Sequence, residues 1–511
     1  MTHALKHWIA GCAGLLLLAA GPVSAQTAEP LEVTFRPVRD GGNAVTAIRV
    51  ELDMTDANLT EGDRLILSAP VVYAGVGGIA DRIEDLQVRD AQGVIGLTVS
   101  EDEPAPGGFP YYRHWTADRA VSFPVEIAYR ARVAPDGHRG GPPFDMRAIA
   151  GGAIGAGSGF LLLPENVDTP RSDVHWDLSD LAEGSLASSS YGDGDFQLDG
   201  PPARLRQSWF TMGPAGRFPE TGDTNGLSGT WLGDFPWDPE ALMEESTRVY
   251  GYLHEQFAYL GEAPRFRVFM RAPEAPPHGG ATALPNSFML SSAPAGDAGH
   301  GSDMPTRILF HEMLHNFSGA IAGSMADTNW FSEGLTSYYT TQLRLRGGFM
   351  SVAEYQERIN VVAWEYYTNP ALDWSSAEII RVGFGDNFIR HLPYRRGELL
   401  FAELDSRIRA ASDGRRTVDD FVEDVLTFRA EGQTLDLDAW RTLLRAELDQ
   451  ASVDLFDAVV LDGTGILVPA DDAFGPCFTR EAATLEREGE TYPGYRWVRR
   501  PGVPDTACAT R

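Results

Sequence analysis

The chain has 511 residues, of which 43% are hydrophobic, a proportion that fits about two or three ordinary globular domains. Its 42 lysines and arginines against 72 aspartates and glutamates give a formal net charge of −30. This balance argues against a phosphate-binding surface, so we expect no nucleic-acid partner, and a solvated acidic surface is the simplest explanation of the charge.

The first 25 residues have the pattern of a secretory signal peptide. Lys6 precedes an apolar run from Trp8 to Ala20, and Val23-Ser24-Ala25 forms a small-residue cleavage site. We therefore expect residues 1–25 to be removed and the mature protein to be periplasmic or secreted. The apolar run is too short to predict a transmembrane span. Cys12 precedes most of this run, which disfavours lipoprotein anchoring.

Short β-like runs separated by turn residues occupy residues 26–180, for example at residues 44–53 and 121–130. Runs at this spacing favour an N-terminal antiparallel β-sandwich or saddle domain. Residues 181–234 are dominated by turn-forming residues and are predicted to be a loop-rich connection. The mature chain would therefore begin with a β domain that an irregular segment joins to the rest.

Residues 235–345 alternate helical and strand-like patterns and contain the residues with the clearest chemistry. Residues 281–290 are expected to form one edge strand, because Pro285 cannot donate a ladder hydrogen bond in a central strand. The pair Gly279-Gly280 precedes this strand and permits close backbone contact with a ligand. A substrate backbone would add to the strand by β-pairing. The predicted substrate-binding residues are Gly279, Gly280, Ala281 and Thr282.

The motif His311-Glu312-Met313-Leu314-His315 is the strongest functional signal in the sequence. Two histidines four positions apart lie on one face of a helix and can bind one metal ion. Glu333 begins a second predicted helical run and would supply a third ligand. Three protein ligands leave one position of Zn²⁺ open for a water, and Glu312 is placed to act on that water as general base.

An alternative interpretation is a helix whose histidines and glutamate are only hydrogen-bonded in a core. That arrangement would have to satisfy several buried polar groups without a metal.

Residues 346–470 are predicted to form a mainly helical C-terminal subdomain. Residues 471–511 form a tail that carries Cys477 and Cys508. Two cysteines in an exported chain predict a disulfide, and two free thiols are the alternative.

Two segments resemble a known group of zinc peptidases. The HExxH motif followed by Trp330-Phe331-Ser332-Glu333-Gly334 is similar to the gluzincin zinc pattern. Tyr394-Arg395-Arg396-Gly397 resembles the Tyr-x-Lys-Gly helix of gluzincin aminopeptidases, and residues 455–469 look like the end of the catalytic domain in the glycyl aminopeptidase family. The resemblance implies an α+β protein whose β domain is followed by a thermolysin-like, mainly helical zinc peptidase domain. The short tail implies that no PDZ domain follows.

The resemblance also implies a role for each matching residue. His311, His315 and Glu333 would be the zinc ligands. Glu312 would be general base and then proton shuttle. Tyr394 would stabilise the oxyanion of the tetrahedral intermediate.

The sequence departs from the family pattern at several positions. The family's Gly-Gly-Leu-Glu-His strand segment corresponds here to Gly279-Gly280-Ala281-Thr282-Ala283, so the glutamate that would bind a substrate's free α-amine is absent. Arg396 replaces the family lysine, which keeps the charge but not the geometry. Tyr338 and Tyr339 are alternative hydrogen-bond donors to the oxyanion.

The sequence therefore predicts an exported, zinc-dependent peptidase that acts on peptides or proteins and is related to aminopeptidases. The missing glutamate leaves an endopeptidase with the same chemistry as an alternative. A non-catalytic binding protein that retains the fold is the alternative from another functional class.

Overall fold

The computed structural model describes residues 29–137, 140–293 and 305–508. The predicted signal peptide and Cys12 lie outside these residues. The described chain has a mixed α+β fold, with strands concentrated before residue 292 and helices after residue 305. None of the helices in these ranges combines the length and apolar character that a membrane span needs.

Strands separated by turns build the N-terminal part. In chain order they are β1 (Leu31–Val38), β2 (Ala47–Met54), β3 (Asn58–Leu59), β4 (Ile66–Tyr73), β5 (Val76–Gly77), β6 (Ile83–Asp90), β7 (Gly93–Val94), β8 (Leu97–Glu101), β9 (Tyr111–Ala117), β10 (Val125–Arg132), β11 (Arg147–Ile149), β12 (Gly152–Ala156), β13 (Leu163–Pro164), β14 (Val167–Asp168), β15 (Arg171–Trp176), β16 (Leu186–Ser189), β17 (Gly192–Asp193), β18 (Phe196–Asp199) and β19 (Trp209–Gly213).

These strands form three main sheets, in the orders β18-β15-β1-β2-β10-β6-β7, β13-β4-β9-β8 and β11-β12-β19-β16-β17. Alternate residues of β1, among them Leu31, Val33 and Phe35, enter an apolar core that the sheets share. β1 and β15 are parallel, so the expectation of a purely antiparallel arrangement is wrong for this pair. These strands meet across a long stretch of sequence, and no hairpin fixes their relative direction.

The structure differs from the predicted loop-rich connection at residues 181–234. β16 to β19 lie there, β18 pairs with β15, and β19 pairs with β12. Several of these strands are only two to five residues long. Strands of that length carry too little alternation to be distinguished from turns in a sequence.

A second sheet region follows and leads into the motif helix. It contains β20 (Gly216–Phe218), β21 (Leu227–Gly233), β22 (Phe266–Ala272), β23 (Ala281–Leu284) and β24 (Ser287–Ser291), in the order β20-β21-β22-β24-β23. The helix α1 (Pro239–Gln256) connects β21 to the parallel strand β22.

The predicted single strand at residues 281–290 is wrong, because the segment is a hairpin. β23 and β24 are antiparallel and pair Leu284 with Ser287. Pro285 and Asn286 form the turn, where Asn286 has a φ of 53°. Proline and asparagine are typical turn residues, and this signal outweighs the apolar run around them. β23 is still the edge strand of its sheet, as predicted for its position.

Helices dominate the rest of the described chain. They are α2 (Thr306–Ser318), α3 (Met325–Arg346), α4 (Val352–Tyr367), α5 (Ser376–Val382), α6 (Asn387–Arg390), α7 (Leu392–Ala411), α8 (Val418–Ala430), α9 (Leu437–Glu447) and α10 (Gln450–Phe456). The expectation that Glu333 begins a helix is wrong, because α3 begins two turns earlier at a capping box of Ser324 and Asp327.

The tail folds into a hairpin of β25 (Phe478–Arg487) and β26 (Glu490–Arg499) that packs against α4. The buried Trp497 donates its backbone N–H to the Asn360 side chain over 2.8 Å. A disulfide joins Cys477, just before β25, to Cys508. The tail is therefore fixed to the helical part of the protein.

Two glycines bring the helices α3 and α7 into backbone contact. A Cβ added at Gly334 would lie 2.5 Å from the Cα of Gly397, and one added at Gly397 would lie 2.2 Å from the carbonyl oxygen of Trp330. Both distances are far below van der Waals contact. The glycines that end the segments Trp-Phe-Ser-Glu-Gly and Tyr-Arg-Arg-Gly are thus required by the packing of these helices.

Arg396, next to Gly397, is buried and donates to the carbonyl oxygens of Leu372 and Trp374 over 3.0 and 2.7 Å. Its guanidinium therefore satisfies backbone groups and takes no part in the cavity around the HExxH motif.

We predict that Gly397→Ala lowers the free energy of unfolding by about 1–3 kcal/mol, since the new methyl group overlaps α3. Urea unfolding measures this change. Gly251→Ala is the matched control: Gly251 lies in α1, and a Cβ there meets nothing within 4 Å. It should keep or raise stability by up to about 1 kcal/mol through helix propensity. Equal stability of Gly397→Ala and wild type would contradict the packing argument.

Candidate active site

The three predicted metal ligands converge. His311 and His315 lie one turn apart on α2 with their ring centroids 4.9 Å apart. α3 brings the Glu333 Oε2 atom to 3.3 Å from His311 Nε2 and 3.5 Å from His315 Nε2. All three ligand atoms lie within 4.8 Å of one another. The i, i+4 spacing and the contact of α2 with α3 together produce this cluster.

Two threonines on α3 orient the histidines. The Thr336 hydroxyl lies 3.3 Å from His315 Nδ1, and the Thr340 hydroxyl lies 3.4 Å from His311 Nδ1. Each hydroxyl donates to a carbonyl oxygen one turn earlier on α3, over 2.6 and 2.7 Å, so each accepts from the imidazole N–H. The Nε2 atoms then face Glu333, the orientation that a metal site needs.

These threonines were not predicted from the sequence. Their spacing from Glu333, three and seven positions along the same helix, is a signal that could have revealed them.

Burial and mutual charge set the protonation of the cluster. Burial lowers the pKa of His311 to about 4. Burial also disfavours the His315 cation, but the Glu333 charge outweighs it and raises the pKa of His315 to about 9. Burial opposes ionisation of Glu333, yet the two histidines hold its pKa well below the usual range. Burial raises the pKa of Glu312 to about 7.

The residues fit a zinc ion. Two imidazole nitrogens and one carboxylate oxygen converge from two helices, which is the donor set of catalytic zinc sites with an open position. The close approach of one carboxylate oxygen to two histidine nitrogens is a further observation in favour, because a cation among these atoms would satisfy all three.

A cavity of about 430 Å³ lies over the cluster. Its lining includes Glu312 and, from α7, Tyr394, whose ring is stacked 6.3 Å from that of His311. Tyr338 and Tyr339 are buried, and Tyr339 donates to Asp419 over 2.9 Å. Of the three tyrosines considered, Tyr394 is therefore the one that faces the cavity.

The edge strand β23 forms one side of the cavity. Ala281 and Thr282 belong to the lining, as predicted for substrate-binding residues. Gly279 and Gly280 do not, and the Gly280 carbonyl oxygen instead accepts from the backbone N–H of Ser291 over 2.8 Å. The glycine pair begins the hairpin, and only the strand after it reaches the cavity.

The cavity also contains five basic side chains that the sequence did not predict. They are Arg307, Arg358, Arg390, His391 and Arg395. Arg307 precedes His311 by one helical turn and Arg395 follows Tyr394, so proximity to the motifs was the available signal.

The M61 glycyl aminopeptidase family model matches residues 321–381, a segment that includes Glu333. The predicted resemblance to glycyl aminopeptidases is confirmed over this segment. No curated protein matches the chain in sequence.

Solved structures share the fold. An aminopeptidase N family protein from Idiomarina loihiensis has 16% sequence identity and a TM-score of 0.66, covering 88% of this chain and 79% of that chain. A mutant M1 zinc metallopeptidase from Deinococcus radiodurans, bound to a Tyr-Ser-Ala substrate, has 16% identity and a TM-score of 0.50, covering 87% and 96%. Yeast LTA4 hydrolase in complex with bestatin has 12% identity and a TM-score of 0.50, covering 86% and 69%.

These similarities confirm the mixed α+β fold class, and together with the family match they support a zinc metallopeptidase. The sandwich and thermolysin-like descriptions of the parts, and their boundaries, stay predictions.

We predict that zinc affinity rises about tenfold per pH unit between pH 7 and 9, because His315 is protonated below its pKa of about 9 and must release that proton to bind a metal. Calorimetry in buffers of different ionisation enthalpy should show about one proton released at pH 7.5. His315→Ala should not bind zinc, whereas the exposed His254→Ala should bind it normally. A pH-independent affinity would contradict the assignment.

Proposed function

We propose that the protein is an exported, zinc-dependent peptidase that hydrolyses peptide bonds. One observation carries the proposal: the convergence of His311, His315 and Glu333 beneath a cavity that Glu312 and Tyr394 also line. A binding module would need neither a half-buried base nor a hydroxyl donor beside a metal cluster, so the complete set favours an enzyme over a non-catalytic protein.

Each residue has a separate part in the mechanism. Zinc held by His311, His315 and Glu333 would supply Lewis acidity toward a water and the substrate carbonyl. Glu312 accepts the proton of the attacking water and then donates it to the leaving amine. Its pKa of about 7 suits both transfers near neutral pH. The Tyr394 hydroxyl donates a hydrogen bond to the carbonyl oxygen as negative charge develops there.

The substrate would bind as an extended peptide. β23 pairs on one side with β24 and is the last strand of its sheet, so its other side can accept a peptide backbone by β-addition. The M1 relative that binds Tyr-Ser-Ala supports a peptide as the substrate class.

The cavity favours an enzyme that does not require a free N-terminus. Among the described lining residues, the carboxylates are Glu312 and Glu333, and the mechanism uses both. Thr282 stands where the family has the amine-binding glutamate and brings no charge. An endopeptidase with aminopeptidase ancestry is therefore the second candidate, and the lack of an amine-binding carboxylate among the described lining residues favours it.

Export is part of the proposal. The disulfide between Cys477 and Cys508 is typical of an oxidising compartment, which supports the predicted signal peptide.

We predict that Glu312→Gln keeps zinc at the wild-type stoichiometry and lowers kcat by about 100-fold or more, because the base is lost while the ligands remain. Zinc content by mass spectrometry and hydrolysis of casein measure the two quantities. Glu357→Gln, an exposed substitution on α4, is the matched control and should behave as wild type. Equal hydrolysis by Glu312→Gln and wild type would refute the mechanism.

A further inference from the structure

The cavity over the zinc cluster is basic although the chain is strongly acidic. Four of its lining residues are arginines: Arg307, Arg358, Arg390 and Arg395. The chain as a whole has a formal net charge of −30, so a group of cations at one place runs against its composition. Such a group in a concave site attracts an anionic part of a ligand.

Two of the arginines are held by buried or partly buried carboxylates. Arg358 Nη2 lies 3.1 Å from Glu398 Oε2, and Arg395 Nη1 lies 3.5 Å from the same oxygen. Arg395 also forms an ion pair with Glu365. Glu398 is 1% exposed, so it fixes both guanidiniums from beneath.

The other two arginines have no carboxylate partner among the described residues. Arg390 donates to the Asn387 side chain over 3.2 Å, contacts His391 Nε2, and lies over the Phe384 ring. Arg307 forms no ion pair with any residue in the described ranges and is exposed to solvent. Four guanidiniums against the carboxylates of Glu365 and Glu398 leave an excess of two positive charges outside the zinc cluster.

Arg307 is placed to reach a bound substrate. It precedes His311 by four positions on α2 and so lies on the same helix face, one turn from the metal ligand. The charges of Arg358, Arg395 and Arg344 lie near the Arg307 guanidinium and repel it. An anion bound beside Arg307 would offset this repulsion, whereas a neutral ligand would not.

We propose that Arg307, supported by Arg358 and Arg395, binds a carboxylate of the substrate beside the zinc cluster. The inference rests on the proposed peptidase function and adds its substrate class: peptides that place a C-terminal carboxylate or an acidic side chain in the cavity. A guanidinium binds a carboxylate through two parallel hydrogen bonds, which fixes the position of the peptide as well as its charge.

The test compares matched peptides. One pair differs only in a free or amidated C-terminus, and a second, amidated pair differs only in Asp or Asn. In at least one of the two pairs, the wild type should cleave the peptide with the carboxylate at a kcat/KM about tenfold or more above that of the neutral peptide. The pair that shows the preference identifies the source of the carboxylate.

Variants assign the preference to Arg307. Arg307→Gln should abolish the preference, and Arg307→Lys should retain part of it because the charge remains. Arg344→Gln is the matched control: Arg344 lies near Arg307 but is not part of the cavity lining, so the preference should persist. A wild type without preference, or a preference that survives Arg307→Gln, would overturn the inference.

A binding measurement separates this inference from the proposed function. If the zinc-loaded wild type hydrolyses none of the four peptides, the peptidase proposal fails. Calorimetric binding of the same peptides to the wild type and Arg307→Gln then decides the inference. Tighter binding of a carboxylate peptide that is lost in Arg307→Gln supports the anion site, and equal binding of both members of each pair overturns it.

Discussion

The contact of Gly334 with Gly397 sets how closely α3 and α7 approach each other beside the candidate active site. Glu333 directly precedes Gly334 on α3, and Tyr394 lies one turn before Gly397 on α7. The backbones meet so closely that no side chain fits at either position. The helix that carries Glu333, the proposed third metal ligand, is thus held directly against the helix that carries Tyr394, the proposed oxyanion donor. In both segments, a residue with a proposed chemical role therefore lies within one turn of a glycine that the helix packing requires.

A buried ion pair links the sheet that contains β23 to the N-terminal, β-rich part. Arg271, on β22, is fully buried, and its Nη2 atom lies 2.6 Å from Asp145 Oδ1. The same guanidinium donates to the Asp145 carbonyl oxygen over 2.6 Å. A buried charge is costly without its partner, so this pair favours one arrangement of the two sheets. β23, two strands from β22, takes its place at the cavity within that arrangement.

The sequence predicted the features that depend on local spacing. His311 and His315 share a helix face by their four-residue separation, and the resemblance to gluzincins indicated Glu333 and Tyr394. Features that depend on contacts between residues far apart in the sequence were not predicted. Arg307, Arg358 and Arg395 meet only because α2, α4 and α7 surround one cavity. Short strands within residues 181–234 gain their partners from β12 and β15, and nothing local specifies that pairing.

The central claim is that this zinc cluster hydrolyses peptide bonds in a cavity without a carboxylate reserved for a free α-amine. The most direct test is a mass-spectrometric digest of one peptide library with free and with acetylated N-termini, before and after removal of zinc by a chelator. The account predicts that the zinc-loaded protein cleaves both forms at similar rates and that zinc removal stops both reactions. Cleavage restricted to free N-termini would contradict the account of the cavity, and no zinc-dependent cleavage would contradict the account of the chemistry.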